Sequence, residues 1–291
     1  MPKPTLLIHG GACSQLTDPA GSEVATATAA LHQALDHGSA VLDRGGSALD
    51  AVQMAVATLE ESGALNAGRG AVCDAEGKRL LDAMLMDGAT QGIGAVAGVQ
   101  FLRNPIHLAR VVLDQTRHCL LIGNGAERLA DARGLARVNA DWFCAPPPNQ
   151  PVAHGPVGAV ALDADGRLAA ATSTGGTTAK LPGRVGDSPL AGAGTWADRH
   201  CAVSATGIGE YFIRTGFAHR IAWAVASGTP VATAIQQALS AISRFGGWGG
   251  GIALTAQGDL AATFACAGMW RGVQRCGEQP MVLCAPGGFD P

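Results

Sequence analysis

The sequence predicts an α+β fold, a layered sandwich in which helices are segregated from antiparallel β-hairpins. Three observations lead to this fold class. Strand and helix patterns follow one another without a regular βαβ alternation, and no internal repeat of fixed period occurs. Small residues (Ala, Gly and Val) fill the strand-like segments, which lets two sheets face each other closely. We therefore expect two sheets between layers of helices.

The first half of the chain predicts strands and amphipathic helices. A strand in PTLLIHGGA precedes two helices, of which the first ends at Gly45 and the second has Ser47 as its N-cap and Asp50 in its first turn. The segment GAVCDAEGKRLLDAMLMDG predicts two short strands with a polar turn around Glu76–Gly77. A buried strand in GIGAVAGV and a helix in NPIHLARVVLDQ, with Pro105 near its start, come next. HCLLIGNGAERLADARG predicts a strand, a glycine turn and a helix.

The second half is richer in strands. It begins after a proline-rich connector, CAPPPNQPVAHG, which we expect on the surface because prolines continue neither a helix nor a sheet. A hairpin in VGAVALDADGRLAAATS turns at Asp163–Gly166. A strand in RHCAVSAT and helices in EYFIRTGFAHRIAWAVAS and PVATAIQQALSAI follow. A second hairpin in GGIALTAQGDLAATFAC and a last strand in MVLCA complete the chain.

Composition excludes several classes of function. The 291 residues carry a formal net charge of -3, which does not predict binding to nucleic acid or to an anionic membrane. No apolar stretch is long enough to span a membrane, and the apolar run near the N-terminus is too short for a signal peptide. The eight cysteines form no CxxC pair, so we expect reduced thiols in a cytoplasmic protein without a zinc site.

Two polar clusters are candidates for a site. In TSTGGTTAKLPGRVGDSP, Arg184 and Asp187 follow a strand that carries Thr172 and Thr174. An arginine and an aspartate can hold the carboxylate and the ammonium of a zwitterion, but the same spacing also suits an exposed loop pair. In SATGIGE, Thr206 precedes two glycines, where a hydroxyl and backbone N–H groups would suit an oxyanion site. We expect His9, at the end of the first strand, to be a core or supporting histidine.

Nine segments together resemble the plant-type L-asparaginases and isoaspartyl peptidases, which are N-terminal-nucleophile hydrolases. In chain order they are IHGGA, NAGRGAV, DAMLMDG, GAVAGV, NPIHLAR, HGPVGAVALDADGRLAAATSTGG, KLPGRVGDSPLAGAGTWA, TGIGE and GMWRG. The resemblance covers nearly the whole chain. It implies a four-layer αββα sandwich, a homodimer, and hydrolysis of L-asparagine and β-aspartyl dipeptides with release of aspartate.

The resemblance also implies roles for individual residues. Arg184 would bind the substrate α-carboxylate and Asp187 its α-ammonium, with Gly207 and Gly209 lining the site. Thr206 and the Gly207 N–H would form the oxyanion hole. Thr174 would assist the nucleophile, and Asn66 would support the site. No organic cofactor is implied, but a structural sodium ion would bind the main-chain carbonyls of Leu59, Glu60, Ser62, Leu65, Ala67 and Arg69.

The chain departs from the family pattern at one position. The family motif H-G-T-V-G-A-V reads H-G-P-V-G-A-V here, so Pro156 stands where relatives have the nucleophilic threonine. That threonine first cuts the chain by attacking the preceding glycine carbonyl, and then attacks substrate as the new N-terminus with its own amine as base. Proline has no hydroxyl for either step.

Three interpretations of Pro156 remain open at the level of sequence. The chain is an uncut pseudoenzyme whose pocket still binds aspartyl compounds; or Thr174 or Thr172 replaces the missing hydroxyl; or the proline is an artefact in an ordinary hydrolase. We expect one domain over residues 1–291. It would comprise an α-subunit-like half (1–143), a linker (144–155) and a β-subunit-like half (156–291).

Overall fold

The computed structural model describes residues 2–13, 22–144 and 155–284. These residues form two facing β-sheets with a layer of helices packed outside each sheet, which confirms the predicted α+β sandwich. Most of the proline-rich connector, residues 145–154, lies outside the described residues, and so does its predicted surface position.

Among the described residues, eight strands form the first sheet and four form the second, and almost all neighbouring strands are antiparallel. The strands of the first sheet are β1 (Thr5–Cys13), β2 (Leu81–Asp87), β3 (Ile93–Val99), β4 (Leu120–Ile122), β5 (Val157–Leu162), β6 (Leu168–Thr174), β11 (Gly268–Arg275) and β12 (Met281–Leu283). The strands of the second sheet are β7 (Thr195–Ala197), β8 (Cys201–Gly207), β9 (Gly249–Thr255) and β10 (Leu260–Ala265). The spatial orders are β12-β11-β1-β5-β6-β2-β3-β4 and β10-β9-β8-β7.

Each sheet buries its outer face under its own helices. The first sheet carries α1 (Ser22–Asp43), α2 (Ala48–Ser62), α3 (Pro105–Gln115) and α4 (Gly123–Ala132), and the second carries α5 (Gly209–Thr215), α6 (Phe217–Ala226) and α7 (Val231–Ser243). Two predicted helix starts are confirmed: the Ser47 hydroxyl accepts a hydrogen bond from Asp50 N, and Pro105 opens α3. Within the described ranges, no helix has the length and apolarity needed to cross a membrane.

Several predicted elements were wrong in detail. The strand expected before Glu76–Gly77 does not form, and only an isolated bridge joins Asp74 to Lys180. The helix expected over EYFIRTGFAHRIAWAVAS is broken at Gly216, whose left-handed φ of 59° ends α5. The glycine turn expected after β4 is instead the first turn of α4. Strands β7 and β11 were not predicted, because β7 is short and Arg271 interrupts the apolar pattern of β11.

The layer between the two sheets is apolar at one end and polar at the other. Its apolar end is built from side chains that include Leu7, Met84, Met86, Val160 and Leu162. Because side chains alternate along a strand, the same faces of β1, β2 and β6 continue into His9, Asp82, Thr172 and Thr174, all of them buried. The candidate site lies at this polar end.

Candidate active site

The start of β5 defines the centre of the candidate site. Pro156 is buried and directly precedes Val157, the first residue of the strand. Val157 pairs with Ser173 of β6, so one further step in register puts Pro156 beside Thr174. Proline is compatible with this position because a strand tolerates a missing N–H at its first residue. Residue 156, where relatives have the nucleophile according to the resemblance, therefore lies next to Thr174, to which the resemblance gives an assisting role.

Gly155, which precedes the proline, is held closely by β1 and β8. Its N–H donates to the Ala12 carbonyl at 3.2 Å, and Ala12 N donates to Thr206 Oγ1 at 2.9 Å. A Cβ atom on Gly155 would lie 2.4 Å from Thr206 Oγ1, so only glycine fits. Gly11, at φ +109°, lets the two backbones approach. Residue 155 thus occupies the space beside Thr206, the threonine that the resemblance assigns to the oxyanion hole.

A buried chain of hydroxyl groups crosses from the first sheet to the second. His9 Nε2 lies 2.8 Å from Ser204 Oγ, which lies 2.7 Å from Thr172 Oγ1. Thr195 Oγ1 is 2.6 Å from Thr172 Oγ1 and donates to the Ser188 carbonyl at 2.9 Å. Buried polar groups are stable only when they are hydrogen-bonded, so this chain fixes the two sheets against each other beneath the site.

Neither threonine considered as a substitute nucleophile is available. Thr172 belongs to the buried hydroxyl chain, and Thr174 Oγ1 accepts a hydrogen bond from Gly176 N at 2.8 Å. His9 is neutral, since burial lowers its pKa to about 3 against the opposing effect of the Pro156 backbone. Both threonines lie inside strand β6, far along the chain from any amino terminus, so neither has the amine base that the family chemistry uses.

Asn66 joins its own loop to the end of β6. Its Nδ2 donates to the Gly176 carbonyl at 2.7 Å, and its Oδ1 accepts from Val72 N at 3.1 Å. Gly175 N donates to the Asn66 carbonyl at 3.0 Å. These contacts join the Asn66 loop to the residues that directly follow Thr174.

Arg184 forms a two-pronged ion pair with Glu210. Arg184 Nε and Nη2 donate to the two Glu210 carboxylate oxygens at 2.9 and 3.0 Å. This pairing lowers the pKa of Glu210. Glu210 directly follows Gly209 in TGIGE, but no sequence pattern indicated a role for it. The ion pair leaves Arg184 Nη1 without an acceptor among the described residues.

Asp187 is a buried carboxyl group with an uncommitted oxygen. Burial is the main cause that raises its pKa to about 7, and the neighbouring Arg184 guanidinium opposes that shift only in part. Its Oδ2 has no hydrogen-bond partner among the described residues. Gly194 and Gly209 provide room, because a Cβ atom there would lie 2.7 and 2.6 Å from the Asp187 carboxylate oxygens.

An open cleft lies over the ion pair of Arg184 and Glu210. It has a volume of ≈ 440 Å³ and is lined by Thr177, Lys180, Leu181, Pro182, Gly183, Arg184 and Glu210. Gly209, at the start of α5, borders both groups, because a Cβ atom there would lie 2.6 Å from Asp187 Oδ1 and 3.0 Å from Arg184 Nη2. The described residues thus bring together Arg184, Asp187 and Gly209, while Gly207 ends β8 two residues earlier.

The loop after α2 has donors of the kind that a sodium ion requires. Turn residues Gly68 and Gly70 crowd its carbonyls: added Cβ atoms there would lie 2.6 Å from Glu60 O and 2.1 Å from Leu65 O. Leu59 O accepts a hydrogen bond from Ser62 Oγ at 2.7 Å, and Leu65 O accepts one from Ala67 N at 2.8 Å. A carbonyl that accepts a single hydrogen bond keeps a second lone pair, so carbonyls of this kind suit a cation such as sodium. No cluster of acidic, histidine or cysteine metal ligands occurs in the described ranges.

A four-layer sandwich with its polar site at the first residue of an internal strand is the architecture of an N-terminal-nucleophile hydrolase. The chain matches the model of the Asparaginase family over residues 2–152 and 145–283. It is 42% identical to the isoaspartyl peptidase of Escherichia coli (strain K12), over 96% of this chain and 95% of that protein. It is 38% identical to the isoaspartyl peptidase/L-asparaginase of Mus musculus, over 92% of this chain and 87% of that protein. The chain therefore belongs to the asparaginase family.

Proposed function

We propose that this chain is an aspartyl-ligand-binding member of the asparaginase family. Its hydrolysis of L-asparagine and β-aspartyl dipeptides is abolished or severely impaired. The observation that carries the proposal is Pro156 at the start of β5, beside Thr174. Proline supplies no hydroxyl for self-cleavage, and an uncut chain supplies no terminal amine as base. The names of the relatives support the substrate class, since they are isoaspartyl peptidases and L-asparaginases.

Ligand binding uses the groups that Pro156 does not affect. The ligand α-carboxylate meets Arg184, through Nη1 or by displacing Glu210 from the exposed ion pair. The α-ammonium meets the uncommitted Asp187 Oδ2. Thr206 and the Gly207 N–H face the ligand amide, although Gly155 beside Thr206 narrows that end of the site. We therefore expect aspartate to bind better than a β-aspartyl dipeptide, whose second residue needs the space that Gly155 fills.

Without self-cleavage before residue 156, the protein would remain a single polypeptide chain. Residues 1–143 and 156–291 are the two halves of a single domain that remain joined by linker 144–155, and the protein is a cytoplasmic homodimer. The sodium ion would be held by the main-chain carbonyls of the loop after α2. There it would supply charge that keeps the loop and Asn66 in place, without a part in the chemistry.

Ligand-induced stabilisation and fragment analysis test this proposal. We expect one band at the full mass of 29.3 kDa, no ammonia from L-asparagine, and a rise of several degrees in Tm with excess L-aspartate. Arg184→Gln should abolish the rise, and D-aspartate serves as the ligand control. Two fragments with steady ammonia release would overturn the loss of catalysis. An unchanged Tm with every aspartyl ligand would overturn the binding role.

Aspartate affinity should depend on pH through Asp187. Only its ionised form attracts an ammonium group, and its pKa is raised to about 7 by burial. Below this pKa the protonated fraction grows, so Kd for L-aspartate should rise about tenfold per pH unit, while it should level off above pH 7. Calorimetric titration between pH 5 and 8 measures this. Asp187→Asn should bind weakly with a flat profile, and a flat profile in the unmodified protein would contradict the assignment.

A further inference from the structure

Lys180 is a buried amine that lines the same cleft as Arg184. The residue is only 4% exposed. Its Nζ donates to the Leu80 carbonyl at 2.9 Å and forms no ion pair with any described carboxylate. The backbone of Gly176 lies close to the amine, because a Cβ atom added to Gly176 would lie 2.7 Å from Lys180 Nζ. A structural lysine is usually exposed or paired with a carboxylate, and Lys180 is neither.

The surroundings of Lys180 lower the pKa of its amine. Burial is the main cause that lowers its pKa, and the positive charge of Arg184 adds to this effect, while Asp82 and Asp74 oppose it. Desolvation and a neighbouring cation both lower the pKa of a lysine, and a lysine amine in such an environment is activated as a nucleophile toward a carbonyl carbon. Asparagine hydrolysis as proposed for this family does not use such a group.

We propose that Lys180 is an imine-forming nucleophile for 2-oxo acids, with Arg184 binding the carboxylate of the ligand. The ≈ 440 Å³ cleft holds both groups, and the exposed Leu181 leaves its mouth open. A four-carbon 2-oxo dicarboxylic acid fits this site best, because it is the oxo analogue of aspartate. The proposal goes beyond hydrolysis. It shares with the proposed function only the carboxylate-binding role of Arg184, and it does not involve residue 156.

The covalent step is balanced without any co-reactant. The neutral Lys180 amine adds its lone pair to the ligand carbonyl carbon and forms a carbinolamine. The carbinolamine then loses its oxygen as water, with both hydrogens of that water coming from the amine and the solvent pool. The product is a C=N bond between ligand and Nζ, and hydrolysis by one water reverses the step. No oxidation or reduction occurs.

Reductive trapping tests the proposal on the unmodified protein. The chain has three lysines, at positions 3, 78 and 180, so the site of modification can be assigned without ambiguity. Oxaloacetate is added first and borohydride second, so that hydride reduces any C=N bond to a stable amine. Peptide mapping by mass spectrometry should find the adduct on Lys180, with saturation by oxaloacetate. Acetone, which lacks a carboxylate, should label it about tenfold less.

Matched variants complete the experiment. Lys180→Met keeps a side chain of similar length without an amine and should remove the adduct, whereas Lys78→Arg, at an exposed lysine, should leave it unchanged. No adduct, or equal labelling of the three lysines, would overturn the proposal, and that result needs no variant to fold. The Tm rise with L-aspartate is measured in parallel. Its presence without an adduct would reject the imine alone, and its absence would reject the aspartyl-binding function.

Discussion

Pro156→Thr is expected to convert the uncut chain into one that cleaves itself between residues 155 and 156 and then hydrolyses L-asparagine. The substitution supplies the missing hydroxyl and, after cleavage, a terminal amine as base. The other groups are already in position: Thr174 lies beside residue 156, and Thr206 Oγ1 lies beside Gly155. Removal of a nucleophile costs a serine protease on the order of 10⁶-fold in rate, so its return should give a gain of comparable order.

Pro156→Val is the matched control for this experiment. Valine has the shape of threonine without its hydroxyl, so this variant relieves the constraint of the proline ring but should remain a single uncut chain. Denaturing gels and intact mass would detect fragments 1–155 and 156–291, and an ammonia assay would follow turnover. A Pro156→Thr protein that folds but stays uncut would show that the chain has a second defect. Activity in Pro156→Val would contradict the requirement for a hydroxyl.

Most of the fold could be predicted from the sequence because short local patterns of residues indicate the individual strands and helices. Two short runs of mainly small residues, VGAVAL and LAAATST, with polar residues at Asp163–Gly166 between them, predict the central hairpin, and Ser47 with Asp50 predicts the start of α2. The errors have a tertiary origin. Gly216 breaks a helix at a position where one glycine in an apolar pattern is compatible with continuation. Strand β11 is held by β1 and β12 on its two sides, which compensates for the buried Arg271 in its sequence.

Residues of the candidate site could be predicted from the sequence only at positions that belong to a family motif. Family motifs carry position as well as residue type, so the resemblance could assign roles to Pro156, Thr206 and Asn66, and these roles stay predictions. The ion pair between Arg184 and Glu210 could not be predicted from spacing, because the two residues are 26 positions apart in the sequence. The hydroxyl chain from His9 to Ser188 was equally hidden. Its members come from separate strands, and isolated serines and threonines in strands have no distinctive pattern.

Gly158→Ala is expected to be among the most destabilising small substitutions in this chain. Residue 158 faces the polar end of the inter-sheet layer, where a new Cβ atom would lie 2.0 Å from Ser204 Oγ and 2.5 Å from His9 Nε2. Overpacking of a core costs about 1–3 kcal/mol, and loss of a buried hydrogen bond adds about 1–3 kcal/mol. Urea unfolding should therefore give a free energy of unfolding lower by about 2–6 kcal/mol.

A control glycine and a double mutant separate this clash from a general effect of alanine. Gly125→Ala places its methyl in open space within α4 and should be neutral or slightly stabilising. Gly158→Ala combined with Ser204→Ala removes the oxygen nearest to the new methyl group, so the double mutant should lose less free energy than the sum of the single mutants. Strict additivity would contradict the position of the Ser204 hydroxyl over residue 158. A coupling of the expected sign would mean that glycine at 158 makes room for the hydrogen bond between the two sheets, two residues from the position where the family chemistry begins.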